Sequence, residues 1–345
     1  MHINREEFLR ILETVGPGLA SKGEGIQQAA CFCFKEGRVM TFNDEVACIH
    51  KCPIDFEGAV RADKLRNLLF KMREETIELR PGKKHLVVKG KRKKAGIIMD
   101  SEVELPIHMV EKAGEYRPLP PEFCEALDLV QQCAGSNEEE FAYTCVHIGP
   151  KWIEASDRFQ MSRYRLRTGF EEDTYVRRDS IKHIVPLGIS KCNDTESWLH
   201  FKNDTGLRYS CRRYLEQNFP DLTQALKMKG SPVVLPKGIG DAIDLGALFA
   251  EDGSDDKQIG VELMPGKIRI HGLGAYGWFR QWAKLKYDGK RMHFLIPPKL
   301  FGDITKRYND CEVSESKLKV DAGKLVYVTM LDSSAQEKEE QNNDD

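Results

Sequence analysis

Apolar residues recur along this chain with two alternating periods. Behind Asn4, with Glu7 at the spacing of a capping box, Phe8, Ile11, Leu12 and Val15 fall at i, i+3, i+4 and i+7, which predicts a half-buried helix over 4–15. The period then shortens to two. CFCFKEGRVMTFNDEVACIHKC reads as strands turning at Glu36-Gly37 and Asn43-Asp44. GAVRADKLRNLLFKM follows, a strand end at Ala59-Val60 running into a second helix over 61–73 that is striped by Leu65, Leu68, Leu69 and Met72. ETIELRPGKKHLVVKGKRKKAGIIM closes the pattern with strands that turn at Pro81-Gly82 and Lys89-Gly90.

The same order returns twice. PPEFCEALDLVQQCA predicts a helix over 120–134 with Phe123, Leu127 and Val130 on one face, and Pro120-Pro121 suits its start. FAYTCVHIG and KWIEASD pair around Gly149-Pro150, RFQMSRYRL follows, and TYVRRDSIKHIVPLG repeats the strand-to-helix motif over 177–188 with Ile181, Ile184 and Val185. Pro186 should end that helix a turn early. The last third offers GIGDAIDLGALFA within 236–251, then IGVELMPGKIRIHG, then FLIPPKLFGDITKRY with Phe301, Ile304 and Tyr308 over 297–308, then KLKVDAGKLVYVTML. The strand-to-helix motif therefore begins at 58, 174 and 294. The chain divides into six units of about 55 residues, and a unit with one helix on a few strands cannot bury both faces of its own sheet. The expectation is an α+β protein of three repeated domains, each with two helices packed on antiparallel sheets, over 1–114, 115–230 and 231–331, followed by a disordered acidic tail, 332–345.

Composition narrows the class without naming it. The 345 residues are 41% apolar and 31% charged, and no apolar run approaches the roughly 20 residues of a membrane helix. MHINREEFLRILETV is amphipathic and acidic, unlike a signal peptide. The ten cysteines are scattered without a framework, which suits a reducing cytoplasm. Net charge is only −2, but six acids stand against Lys338 in the tail.

The charge that matters is segregated by helix. The three motif helices carry Arg61, Lys64, Arg66, Lys71, Arg73, Arg177, Arg178, Lys182, Lys299, Lys306 and Arg307 against Asp63, Asp179 and Asp303. The three leading helices reverse the balance, with Arg5, Arg10 and Lys237 against nine acids. A single basic helix face is ordinarily just solvated; three of them in register imply a surface for a polyanion, met through phosphates and blind to base sequence.

Other motifs carry less. GLGAYG, Gly272–Gly277, matches GxGxxG after a strand-like KIRIH, but WFRQWAKLKYDG then alternates like a strand where a dinucleotide site needs a helix. Cys31, Cys33, Cys48, His50 and Cys52 include no CxxC pair and read as small buried thiols rather than a zinc site. KGKRKK, Lys89–Lys94, fits a phosphate-binding hairpin or a solvated basic turn equally. Trp152, Trp198, Trp278 and Trp282 read as packing residues. With no Walker A sequence, triad or carboxylate cluster, the expectation is a non-enzyme with no cofactor and no metal.

The threefold order of six helix-on-strands units resembles the bacterial-type sliding clamp, the beta subunit and processivity factor of the replicative DNA polymerase. ASDRFQMS (Ala155–Ser162) lies where that family has Ala-Thr-Asp-Gly-His-Arg-Leu, NFPDL (Asn218–Leu222) matches a Phe-Pro-Asp closing the second domain, and YVTML (Tyr327–Leu331) matches the final strand. The likeness spans residues 1 to 331 and marks a divergent member, of cellular or viral origin. It implies the DNA-clamp fold, a head-to-tail homodimeric ring around double-stranded DNA, and a pocket that captures a short peptide of the polymerase or clamp loader. Carried over, that pocket uses Ser156, Phe159, Met161, Val328 and Met330. Phe159 replaces the usual His and the family's Met-Pro-Met-Arg-Leu ending is absent, so a different peptide preference is implied. The rival readings are a monomeric processivity factor that grips DNA electrostatically and a nucleotide-dependent enzyme using Gly272–Gly277.

Overall fold

The computed structural model describes residues 1–20, 25–215, 218–250, 257–314 and 316–330; the tail 332–345 lies outside the described residues. Among these are six α-helices: α1 (Arg5–Thr14), α2 (Ala62–Lys71), α3 (Phe123–Val130), α4 (Arg178–Ile181), α5 (Ile239–Phe249) and α6 (Pro298–Arg307). Asn4 caps α1, its Oδ1 accepting from the Glu6 and Glu7 amides at 3.0 Å. The fourth helix is shorter than its apolar stripe suggested. Only Arg178–Ile181 is α-helical, a 3₁₀ turn covers Val185–Leu187, and Gly188 leaves in the left-handed region at φ 59°. Pro186 has no N–H to donate, and its ring opposes the carbonyl one turn back.

Contacts divide the chain into two compact units, Met1–Cys124 with Asp179–Leu215, and Glu125–Arg178 with Glu216–Asp345. The middle repeat contributes strands to both. The first unit is built on one twelve-stranded antiparallel sheet, in which Val46–Lys51 of the first repeat pairs with Leu207–Arg212 of the second. Its turns follow the local sequence: Lys35 faces Arg38 across Glu36-Gly37, where both φ values are positive (51° and 65°), the two-residue hairpin that suits strand twist. Helix α1 covers the inner face through Phe8, which lies against Phe34, itself against Phe56.

The second unit holds an eight-stranded and a four-stranded antiparallel sheet. In the larger, Gln160–Arg165 of the second repeat pairs with Leu325–Met330 of the third. In the smaller, the order is Gly277–Lys284, Lys267–Gly274, Ile259–Met264, Met292–Ile296. Helix α5 packs on it so closely that a Cβ on Gly272 would meet the Gly246 carbonyl oxygen at 2.0 Å. That contact accounts for one glycine of GLGAYG; the motif is an antiparallel hairpin, with Gly274 paired to Gly277, and offers no phosphate loop before a helix.

Candidate docking site and nucleic-acid interface

Two repeats meet within each unit, and the two junctions use the same local chemistry. At the first, the Asn43 amide donates to the Val46 carbonyl (3.1 Å), the Val46 amide donates to Asn43 Oδ1 (2.8 Å), and Asp44 takes a φ of 72°. At the second, Asp157 and Gln160 form the same two bonds at 3.1 and 2.8 Å, and Arg158 takes a φ of 80°. Each turn then extends the strand pairing by one bond, Arg212 N–H to Glu45 O (2.9 Å) and Met330 N–H to Phe159 O (2.7 Å). Asn and Asp supply the side-chain acceptor that such a turn needs.

The second junction brings together all five pocket candidates. Met161 faces Val328, Ser156 faces Met161, and Phe159 bonds Met330. Met161 and Val328 are buried in a cluster with Val326, Leu222 and Leu226, bordered by Phe219, Ala225 and Met228. Ser156 is also buried, its hydroxyl donating to the Gln160 carbonyl at 3.0 Å, so it shapes the turn. Phe159 and Met330, by contrast, are 71% and 43% exposed, two large apolar side chains at the edge of a buried apolar floor. Leu222 of NFPDL joins this cluster, a contact that the local pattern of that segment does not signal.

A buried polar chain fixes the segment that carries Leu222 and Leu226. His147 Nδ1 lies 2.8 Å from Glu154 Oε1, and its Nε2 lies 3.1 Å from Asp173 Oδ1. Arg163 Nε donates to Glu154 Oε2 at 2.6 Å, while its Nη atoms reach Thr223 Oγ1 at 3.4 Å. Phe219 lies against His147 and Tyr175, with ring centroids 5.3 and 5.8 Å away. Burial opposes the imidazolium, but the Glu154 and Asp173 carboxylates outweigh it and hold the His147 pKa above its ordinary value.

The basic residues divide by exposure. Arg61, Lys64, Arg66, Lys71 and Arg73 are all exposed on and beside α2, with Asp63 3.4 Å from Arg61 and 3.5 Å from Lys64. Arg177 pairs with Glu138 at 2.5 Å, Lys182 with Asp179 at 3.1 Å, Lys299 with Asp128 at 2.6 Å and Lys306 with Asp303 at 3.9 Å. Arg178 departs from the expectation of a phosphate-facing base: it is buried, and its Nη1 donates to the Ala134 carbonyl at 2.8 Å. The side chain of Arg307 lies outside the described residues.

Cys33, Cys48 and Cys52 are buried, and burial pushes each thiol up to about 12; all ten cysteines are free. Among the described residues no group of three or more His, Cys, Asp or Glu could hold a metal, and no helix is long and apolar enough to cross a membrane. Two tryptophans contradict the packing expectation. Trp198 is fully buried against Phe42, but Trp278 and Trp282 are 63% and 55% exposed on an outer strand. That strand carries apolar side chains on both faces, so its sequence does not reveal which face is covered.

The architecture is that of the sliding clamps. The chain is similar to the DNA polymerase III subunit beta from Pseudomonas aeruginosa, at 15% identity with a TM-score of 0.69, covering 96% of this chain and 100% of that one. It is similar also to the DNA polymerase III beta subunit from Thermotoga maritima (16% identity, TM-score 0.71, 96% and 98% covered). A DnaN sliding clamp from Bartonella birtlesii bound to griselimycin matches at 12% identity and a TM-score of 0.73, with 96% and 98% covered. No protein-family model matches the sequence, and a search of curated proteins found no match.

Proposed function

We propose that this chain is a non-catalytic sliding clamp: two copies close head to tail around duplex DNA and tether a DNA polymerase to its template. The observation that carries the reading is a junction made twice and left open once. The third strand of the first repeat (Val46–Lys51) pairs with the last strand of the second, and the third strand of the second repeat (Gln160–Arg165) pairs with the last strand of the third. The corresponding strand of the third repeat, Gly277–Lys284, is a sheet edge among the described residues. Among the described residues, the last strand of the first repeat, Lys94–Asp100, has only Met99 and Asp100 paired on its second side. A second copy supplies the complement, because an open strand edge is a template for strand addition. Apolar side chains to be covered are present on both sides: Tyr276 on one, Ile98 and Phe70 on the other.

The helices repeat the argument with charge. Asp128 in EALDLV of α3 accepts from Lys299, the residue before buried Leu300 of α6. Asp244 holds the same place in DAIDLG of α5, and Lys64 the same place before buried Leu65 of α2. The closed ring therefore pairs Asp244 of one copy with Lys64 of the next, taking Lys64 from the DNA-facing set.

On this reading the three repeats, 1–114, 115–230 and 231–331, are the three clamp domains of each copy. Arg61, Arg66, Lys71, Arg73, Arg177, Lys182 and Lys306 line the passage and meet phosphates in a salt-sensitive way, while Lys299, like Lys64, is held by an aspartate across the junction. The junction of Phe159, Met161, Val328 and Met330, shaped by Ser156, takes the apolar anchors of a polymerase or clamp-loader peptide. The free thiols suit a cytoplasmic protein. Light scattering across a concentration series tests the assembly. The expected species has twice the 39.4 kDa mass of one chain; Lys64→Glu and Asp244→Lys each raise its dissociation constant about tenfold, and the double variant restores it. A persistent single-chain mass at all concentrations contradicts the ring.

A further inference from the structure

In the first two repeats the outer face of the sheet is covered by the chain that leaves the repeat's last strand. After Lys94–Asp100, residues Val103, Leu105, Ile107 and Val110 pack over Cys31, Cys33, Met40 and Phe42. After Leu207–Arg212, residues Phe219, Leu222 and Leu226 cover His147, Met161 and Val328. The third repeat has the same face. Cross-strand register places Leu273, Trp278, Trp282 and Leu295 on it, and all four are at least half exposed. The face is also basic. Lys267, Arg269, Arg280 and Lys284 share it by register, Arg280 lies over the Trp278 ring at 5.2 Å, and Arg269 and Arg291 both bond Glu262 at its centre. Asp288 lies in the adjoining loop.

We propose that the segment after the third repeat's last strand, residues 331–345, is the cover of this face, an acidic counterpart of the two linkers. Three features commit the occupant. The segment leaves Leu325–Met330, as each linker leaves its own last strand. It carries Asp332, Glu337, Glu339, Glu340, Asp344 and Asp345 against Lys338, complementing a face of cations, while Leu331 and the stems of Gln336 and Gln341 supply contact for the tryptophans. Fifteen residues span at most about 50 Å when extended, ample for a sheet in the same compact unit. The contact is ionic and on a surface, so it weakens as salt shortens the Debye length from about 10 Å at 0.1 M to about 3 Å at 1 M. The face is distinct from the hydrogen-bonding edge of Gly277–Lys284, so cover and ring closure are compatible, and the inference holds whether or not the ring forms.

Zero-length carbodiimide cross-linking of the full chain, read by mass spectrometry, tests it alongside acrylamide quenching of tryptophan. The expected cross-links join tail carboxylates to Lys267 and Lys284 and are lost in 1 M salt. Deleting 332–345 raises quenching, because Trp198 is buried and the exposed Trp278 and Trp282 dominate the signal. Cross-links confined to Lys89–Lys94, or quenching unchanged by the deletion, overturn the proposal. So does a single-stranded oligothymidine that binds the full and truncated chains equally and is lost in Trp278→Ala and Trp282→Ala, since the face is then an open stacking platform for single strands.

Discussion

Arg212 at the first junction lies over Trp198 at 4.5 Å and reaches Asp44 Oδ1 at 2.6 Å; at the second, the same backbone position holds Met330, bonded to Phe159. Turn, register and strand-extending bond agree, yet one junction is finished with ions over a buried indole and the other with two exposed apolar side chains. An ion pair tolerates water, while an exposed Phe beside an exposed Met over a buried apolar floor leaves surface that only a partner removes from water. On the proposed reading, the architecture requires the backbone chemistry that both junctions share, and docking requires only the side chains at the edge of the second.

The strongest break in that comparison is Trp198→Ala. It empties the first junction's core and should cost about 3–5 kcal/mol of unfolding free energy by denaturant titration. Phe159→Ala and Met330→Ala at the second should cost under about 0.5 kcal/mol each, while weakening the best binder from a library of short Leu- and Phe-anchored peptides about tenfold or more. Equal losses of stability at both positions would reduce the second junction to a structural contact. Arg212→Met removes one partly exposed ion pair and should cost about 0.5–1 kcal/mol, leaving peptide binding unchanged.

Acid should separate the units. Burial pushes His200 of the first unit down to about 4, and it exchanges hydrogen bonds with Ser210 (2.9 Å) and Thr195 (3.1 Å). A His with a depressed folded pKa is bound neutral, so its stabilisation is lost as pH falls from about 6.5 toward that value. His147 of the second unit has a raised pKa, so its contribution is fully present below about 6.5 and is lost as pH rises through the folded value. Hydrogen exchange should therefore show the first unit loosening in mild acid while the second holds, and His200→Asn should flatten the first unit's response.

Periodicity carried most of the fold into view. The strand-to-helix motif at 58, 174 and 294 corresponds to strands entering α2, α4 and α6, and the turns at Glu36-Gly37 and Asn43-Asp44 lie where Gly and Asx chemistry put them. What stayed hidden depends on long-range contact. Nothing in the local pattern around Arg178 reports that its guanidinium is consumed by the Ala134 carbonyl, forty-four residues away. Trp278 and Trp282 alternate like core residues, and they are exposed because no covering linker lies over them among the described residues of the third repeat. Leu222 and Leu226 escaped because they are brought to Met161 by the path of a connection with no periodicity of its own.

Topological capture of duplex DNA is the most direct test. The protein is incubated with a linear duplex at moderate salt, both ends are blocked with streptavidin, and complexes are separated by gel filtration. A ring is expected to remain on the doubly blocked duplex, to slip from an unblocked one, and to be released when an internal restriction site is cut. Equal retention on blocked and open duplexes, abolished by salt alone, would mean that the chain grips DNA without encircling it and would contradict the clamp.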